Sequence, residues 1–507
     1  MRLRRGDYLI ATGVAIFHTL TAVFHGGPVA VPDVSAYLSV AQWPSGGVLP
    51  ADLAFHPGYG LLLTPFGGLN GATLHTAALI FNGVIAGLCA LLASCLAQRF
   101  GASPRLAYAA AGITAIHPSL STSSRIAWPE TLLIAVLLAL TLLVHVDKWM
   151  WAGVAAGAVV VVHPRAVVLL AAVILAALAK HRFVSLALGL LPTSALTVVL
   201  LQITDTWPHA RISAAQTIGP GPGPLATLSG QWLALGAGTA GLATVGLIVA
   251  LKGFRSRHEP ASHIFLGLSA SGMLALGAWV LAGSDRVDTI LYGRYIGLWA
   301  IPLSILGLVA ISRGEVTRQI AYAASGVTLM ALLIALAAAG DLSDSPRRIM
   351  TLSLSAVWVT FDNRFVVTVI TAALLVAVTV TASRRGLLIP ITVFAFLAVP
   401  STILNHRHLH DVGNIADAQI TTANLVPDDA NCLAHDTSTK SYALWLYRLE
   451  LPKMQHRRVN LAAGDKPCGN YVIAAADALS ECVEAKLLAT ERRAKWGLWH
   501  YPPQGCG

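Results

Sequence analysis

Of 507 residues, 55% are apolar and 11% charged, against about 25% charged in a soluble domain. The apolar residues come in blocks of roughly twenty separated by short polar breaks, which excludes one large soluble core and points to bilayer spans. The net charge of +10 would suggest nucleic acid in a soluble chain, but here it follows the breaks between spans, so no nucleic-acid partner is expected.

The chain opens with basic residues (Met1 to Arg5) and an apolar run from Tyr8 to Phe24. His25-Gly26-Gly27-Pro28 follows in place of a small-residue cleavage site, so the run reads as a retained first span. Spans are predicted at about 8–25, 73–97, 106–120, 129–146, 150–163, 165–179, 183–203, 231–251, 261–283, 294–312, 319–339, 365–383 and 387–404, about thirteen in all. The two beside His163 are short enough for a re-entrant pair. With a cytoplasmic N-terminus, the inner breaks collect Arg99, Arg105, Lys148, Lys180, Arg182, Lys252, Arg313, Arg318, Arg384 and Arg385, while the outer loops hold eight Arg and no Lys. That is the positive-inside pattern, and the odd span count places the C-terminal tail outside the plasma membrane.

Between the first two spans, Pro32-Asp33-Val34 opens a stretch with apolar residues at 34, 37, 38 and 41. This is helical spacing, read as a short helix along the interface. Phe55-His56-Pro57-Gly58-Tyr59-Gly60 then turns into a second apolar helix. The Gly-Pro alternation at 219–224 reads as a stiff, non-helical hairpin or lid. No repeat is evident.

The expected architecture is an all-α polytopic membrane domain over residues 1–404 with a small extracytoplasmic α/β domain over 405–507. In that tail, Asn431–His435, Asn470–Ala475 and Trp496–Tyr501 read as strands and Tyr442–Glu450 as a helix. Cys432, Cys468, Cys482 and Cys506 all fall in it, an even number in an outer segment, which reads as disulfides with three pairings open. Cys89 and Cys95 lie in the second span and read as packing residues.

The span centres hold no Asp, Glu, Lys or Arg, which counts against ion-coupled transport. Functional acids are therefore sought on the outer side: Asp33, Asp52, Glu130, Asp205, Asp285, Asp288, Asp341, Asp344 and Asp362. Asp33 opens the interfacial helix, where a lipid-borne phosphate and a water-borne hydroxyl meet, and suits a general base. An N-cap role is the commoner use of such an Asp. Arg125, Arg165 and Arg294 each lie at the outer end of a span, where a guanidinium fork suits phosphate oxygens; an interfacial anchor is the bland reading of each. His56, His117 and His163 each precede proline and read first as structural histidines. Trp43, Tyr59 and Trp128 read as belt residues before sugar platforms.

Four segments together resemble the GT-C-fold membrane glycosyltransferases that use polyprenyl-phosphate sugars, a resemblance covering roughly residues 1–310. They are Asp33 with Tyr37 and Ala41; His56-Pro57-Gly58-Tyr59 with the leucines after it; Arg125-Ile126-Ala127-Trp128-Pro129-Glu130; and Tyr292-Gly293-Arg294-Tyr295 followed by Pro302. The resemblance implies Asp33 as catalytic base and Arg294, Arg125 and Arg165 on the donor phosphate. It brings Tyr37, His56, Tyr59, Glu130, His163 and Tyr292 forward as substrate-binding candidates. Many relatives carry a paired acid where this chain has Val34 after Asp33, and one carboxylate is a poor site for a hard cation, so no metal or other cofactor is expected.

The leading expectation is an inverting transferase moving a sugar from a polyprenyl monophosphate to an envelope glycan, glycolipid or protein, among membrane lipids on the outer face. Arg outnumbers Lys 26 to 8 and Ala is abundant, a mark of GC-rich coding as in actinobacteria, whose envelopes use decaprenyl-phosphate mannose and arabinose. Mannose or arabinofuranose is expected on that association alone. The rival readings are a lipid-linked saccharide flippase or other transporter, and a non-catalytic scaffold with a glycan-binding tail.

Overall fold

An apolar run in a bilayer must satisfy its backbone N–H and C=O groups internally, and a helix does so within one segment. The structure, a computed structural model, describes residues 4–24, 26–29, 31–50, 55–206, 222–255, 260–283, 287–338 and 351–502. In chain order, α1 (Arg5–Val23), α2 (Pro32–Gln42), α3 (Gly58–Leu62), α4 (Gly71–Arg99), α5 (Pro104–Ile116), α6 (Pro118–Ser123) and α7 (Glu130–His145) come first. Next are α8 (Trp149–Val162), α9 (Val167–Ala179), α10 (Phe183–Ile203), α11 (Gly223–Gly238) and α12 (Leu242–Lys252). The set closes with α13 (Ala261–Leu281), α14 (Gly293–Ser312), α15 (Arg318–Ala337), α16 (Ser355–Thr360), α17 (Phe365–Ser383) and α18 (Leu388–Asp417).

Among the described residues, eight helices are long and apolar enough to cross a membrane: α1, α4, α10, α13, α14, α15, α17 and α18. The pair α11–α12 makes nine if it counts as one span. The chain is a multi-pass membrane protein, but the expected thirteen spans are not met. The segments expected at 106–120, 129–146, 150–163 and 165–179 form shorter helices, the longest of them the 16 residues of α7. At 1.5 Å per residue these fall short of the roughly 30 Å hydrocarbon core. The first of these breaks at His117-Pro118, since proline brings no N–H to continue α5. The segment expected at 231–251 bends by 115° between α11 and α12, where Gly241 takes a φ of +75°, a conformation that favours glycine.

Small residues let the helices meet closely. A Cβ on Gly307 of α14 would sit 3.0 Å from the backbone nitrogen of Gly246 on α12, so the two helices touch through their backbones. The central helix α14 is buried over nearly its whole length, whereas α1, α10 and α15 keep broad exposed apolar faces.

Helix α2 forms as expected and is enclosed by protein. Residues Val34 to Gln42 are all buried, the serines included. Of the Gly-Pro alternation, residues 219–221 lie outside the described residues, and Gly223 already starts α11, so its end is helical rather than a stiff hairpin. Asp52, Asp285, Asp341, Asp344 and Cys506 also lie outside the described residues.

The 30-residue α18 carries the chain out of the membrane helices without interruption, and Ala416 near its end joins the core of the C-terminal extension. That extension is a five-stranded sheet of β1 (Cys432–Asp436), β2 (Gln455–Val459), β3 (Tyr471–Ala475), β4 (Lys486–Thr490) and β5 (Trp496–His500), in the order β2-β1-β3-β5-β4. Strands β1–β2 and β1–β3 run parallel, while β3–β5 and β4–β5 are antiparallel. Helix α19 (Ser441–Glu450) packs Ala443, Leu446 and Tyr447 against Leu433, Ile473 and Leu498. Cys432 and Cys468 form a disulfide, and Cys482 is disulfide-bonded as well. The extension docks on the first loop: Gln42 Nε2 donates to the Leu449 carbonyl (3.2 Å) and Val48 N to the Pro452 carbonyl (2.7 Å). The helix that carries Asp33 in its first turn is thus held at its far end by the C-terminal extension.

Candidate active site

Four charged side chains from four distant segments converge. Asp33 stands one residue after Pro32, which opens α2. Glu130 is the first residue of α7, directly after Pro129. Arg165 lies in the 3-10 turn Pro164–Ala166 that joins α8 to α9. Arg294 is the second residue of α14. All four sit at helix starts or breaks, where the backbone turns and a long side chain reaches inward.

Arg294 is the hub. Its Nη2 donates to Asp33 Oδ2 at 2.7 Å and its Nε to Glu130 Oε1 at 2.7 Å. Arg165 Nη2 donates to the same Glu130 oxygen at 2.7 Å, and its Nη1 to the Arg294 carbonyl at 3.4 Å. Each guanidinium also lies on an aromatic face, Arg294 at 3.7 Å from the Trp128 ring centroid and Arg165 at 4.5 Å from that of Tyr295. Stacking of this kind is worth about 0.5–2 kcal/mol and holds the guanidinium plane in place.

Exposure separates the two acids. The Glu130 side chain is 1% exposed and the Asp33 side chain 16%. Glu130 is sealed against two guanidiniums; Asp33 spends one oxygen on Arg294 and keeps an open edge. The buried Glu130 carboxylate ties the two guanidiniums to one another. Asp33, at the end of the chain of ion pairs, is the more exposed of the two carboxylates.

The other sequence candidates make contacts within the protein. The N-cap of α2 is Val31, and no side chain caps the helix, so the capping role weighed for Asp33 is replaced by its ion pair. His56 Nδ1 donates to the Val160 carbonyl at 2.6 Å. Tyr37 is buried edge-on to Tyr59, whose hydroxyl donates to Asn82 Oδ1 at 3.1 Å. His163 accepts the Arg165 backbone N–H at Nδ1 (3.1 Å) and stays in contact with the Arg165 side chain, so it belongs to the cluster as a turn-forming residue. His117 does the same for Ser119 N in α6 (3.2 Å). Tyr292 precedes α14 and meets Tyr295 edge-on at 4.9 Å. Trp128 is neither belt anchor nor open sugar platform, being buried beneath Arg294. Arg125 is not brought to the cluster; it lines a separate cavity beside the end of α1 and the second half of α18.

Two positioning residues escaped the sequence reading. Asn82 Nδ2 donates to the carbonyls of Ile126 (3.0 Å) and Trp128 (3.4 Å), fixing the turn that delivers Trp128 and Glu130. A lone Asn inside an apolar span was the available signal. Tyr295 belonged to a motif but was given no task. Among the described residues no three His, Cys, Asp or Glu side chains gather as metal ligands.

No protein-family model matches the sequence, and no curated protein does. Solved structures do. ArnT from Cupriavidus metallidurans in the apo state superposes with a TM-score of 0.59 at 15% identity, over 97% of this chain and 97% of that one. The same protein bound to undecaprenyl phosphate gives a TM-score of 0.57 at 14% identity over 98% of each chain. The arabinosyltransferase EmbB from Mycobacterium smegmatis matches at a TM-score of 0.39 and 15% identity, over 82% of this chain and 40% of that one, too loosely to carry an argument. At such identities the likeness establishes the fold: a GT-C-like polytopic helical domain with a small C-terminal β/α extension.

Proposed function

We propose that the chain is a glycosyltransferase that moves a sugar from a polyprenyl monophosphate to an envelope glycan, glycolipid or protein acceptor, with its C-terminal extension and the Asp33 cluster on the outer face and its N-terminus in the cytoplasm. The supporting observation is the ion-pair chain from half-open Asp33 through Arg294 to sealed Glu130 and Arg165. It lies in a fold shared with a protein solved with undecaprenyl phosphate.

In this reading the donor phosphate binds against Arg294, with Arg165 behind it, and takes the N–H that Asp33 now holds. The Asp33 carboxylate, released, accepts the proton of the acceptor hydroxyl. That oxygen attacks the anomeric carbon as the bond from the anomeric carbon to the phosphate oxygen breaks, and the polyprenyl phosphate leaves with the electron pair. One displacement inverts the anomeric centre. Positioned guanidiniums stabilise the charge growing on the leaving phosphate, and Glu130 keeps both of them aimed. Mannose and arabinofuranose are the donor sugars to try first.

The test is transfer by the purified full-length protein, read as release of free polyprenyl phosphate. Asp33→Asn keeps the hydrogen bond to Arg294 but removes the base, and is expected to lower turnover by about 100- to 10,000-fold with expression and melting unchanged. Undiminished turnover would take Asp33 out of the mechanism.

A further inference from the structure

A buried guanidinium needs a counter-charge, and Arg125 has none among the described residues. It is 3% exposed. Its Nε and Nη2 find no hydrogen-bond partner among the described residues. Arg165 and Arg294, equally buried, each hold a carboxylate. Breaking a buried pair by removing one partner leaves an uncompensated charge, among the most destabilising changes a protein interior can suffer. Burial draws the Arg125 guanidinium down to about 10, which leaves it charged at neutral pH.

Arg125 lines an open cavity of about 280 Å³ together with Thr21, Phe24, His406, Arg407 and His410. Among the described residues the walls carry two guanidiniums and two imidazoles and no acid. The cavity lies where two apolar stripes end. On α1, Phe17, Leu20 and Phe24 are exposed at helical spacing and run up to it. On α18, Phe396, Val399 and Ile403 are exposed at the same spacing, and the stripe continues as His406, Arg407 and His410. Residues three and four apart share one helix face. A lipid chain laid along either stripe therefore brings its headgroup to the cavity, at the level where the apolar part of α18 gives way to His406-Arg407-His408.

We infer that this cavity is a second anion site, separate from the Asp33–Arg294 pair, and that its occupant is an anionic phospholipid of the surrounding bilayer, with its phosphate against Arg125 and Arg407. A guanidinium fork donates to phosphate oxygens through paired N–H groups. The open stripes lack the walls that would enclose one special chain. A bilayer phosphodiester fits them better than a dedicated substrate, and a bound phospholipid supplies the counter-charge that Arg125 lacks among the described residues.

Native mass spectrometry of the purified full-length protein tests this, with phosphatidylglycerol, phosphatidylcholine and polyprenyl phosphate offered in turn. Phosphatidylglycerol is expected to be retained about tenfold more strongly than zwitterionic phosphatidylcholine. Arg407 is exposed, so Arg407→Gln folds normally and is expected to weaken phosphatidylglycerol retention several-fold. Arg125→Gln, where it folds, removes the preference. Asp33→Asn leaves retention untouched, which separates this site from the proposed transfer chemistry. Equal retention of both phospholipids, indifference to Arg407→Gln, or a preference for polyprenyl phosphate that depends on Arg407 overturns the assignment.

Discussion

Two buried carboxylates in this molecule are satisfied by opposite means. Glu491, in the C-terminal extension, takes only neutral donors. Its Oε2 accepts from Thr421 N (2.7 Å) and Oγ1 (2.6 Å), and its Oε1 from Thr422 N (3.1 Å), Thr422 Oγ1 (2.6 Å) and the Tyr447 hydroxyl. Every donor lies in the extension's own short segments, and both oxygens are used. Glu130 takes two guanidiniums on one oxygen, while Oε2 has no partner among the described residues. Its cations come from α14 and the turn before α9, and one of them donates through Nη2 to Asp33. A carboxylate closed by neutral donors ends a network and fixes a fold. A carboxylate that concentrates positive charge, and passes part of it to an open edge, leaves charge that the proposed transfer would use on a phosphate.

The comparison breaks most readily at Glu130. Glu130→Ala leaves Arg294 with Asp33 alone and Arg165 with no carboxylate, an expected loss of about 3–5 kcal/mol seen as a lower melting temperature, together with a fall in transfer. Because a structural defect alone lowers both, Glu130→Asp carries the distinction. It keeps the charge and is expected to recover stability and part of the turnover, with KM for the donor raised. Full stability in Glu130→Ala would show that the ion pairs are not coupled as described. Glu491→Gln sharpens the other side. One acceptor becomes a donor facing donors, for an expected loss of about 1.5–3 kcal/mol, with turnover per folded molecule unchanged. A matching loss of turnover would tie the extension to catalysis.

The two regions also differed in how far their residues announced themselves. In the membrane part, charge is scarce, so Asp33, Arg165 and Arg294 stood out against apolar sequence. Their partnership did not: Arg294 and Glu130 are 164 residues apart, and no local pattern encodes which face of α7 meets α14. The break between α11 and α12 was invisible because Thr239-Ala240-Gly241 is as apolar as its surroundings. In the extension, the three central strands of the sheet were legible as apolar runs. The two missed strands are its edges. β2 reads Gln455-His456-Arg457-Arg458-Val459 and is mostly exposed, and β4 alternates without a strong apolar face. Polar, charged edges discourage pairing with other chains, and that same composition hides them from a search for buried strands.

The smallest expected effect lies at the β1–β2 edge, where His435 Nε2 meets His456 Nδ1 at 3.1 Å and His456 Nε2 donates to the Leu451 carbonyl at 3.0 Å. That chain requires a neutral His456, which accepts at Nδ1 from His435 while its own Nε2–H donates to Leu451. Burial lowers the pKa of each, that of His456 to about 4 and that of His435 well below the ordinary 6.5, with nearby arginines adding to the effect. Since the folded values lie below the unfolded one, the unfolded chain takes up protons first as pH falls. The stability they contribute is complete above about 6.5 and drains away toward about 4. Unfolding of the full chain is therefore expected to shift down by a few degrees between about pH 7 and pH 5. His456→Gln, which removes one titrating partner, is expected to flatten that slope. An unchanged slope in the variant would assign the acid sensitivity to carboxylates elsewhere and leave the histidine pair as packing.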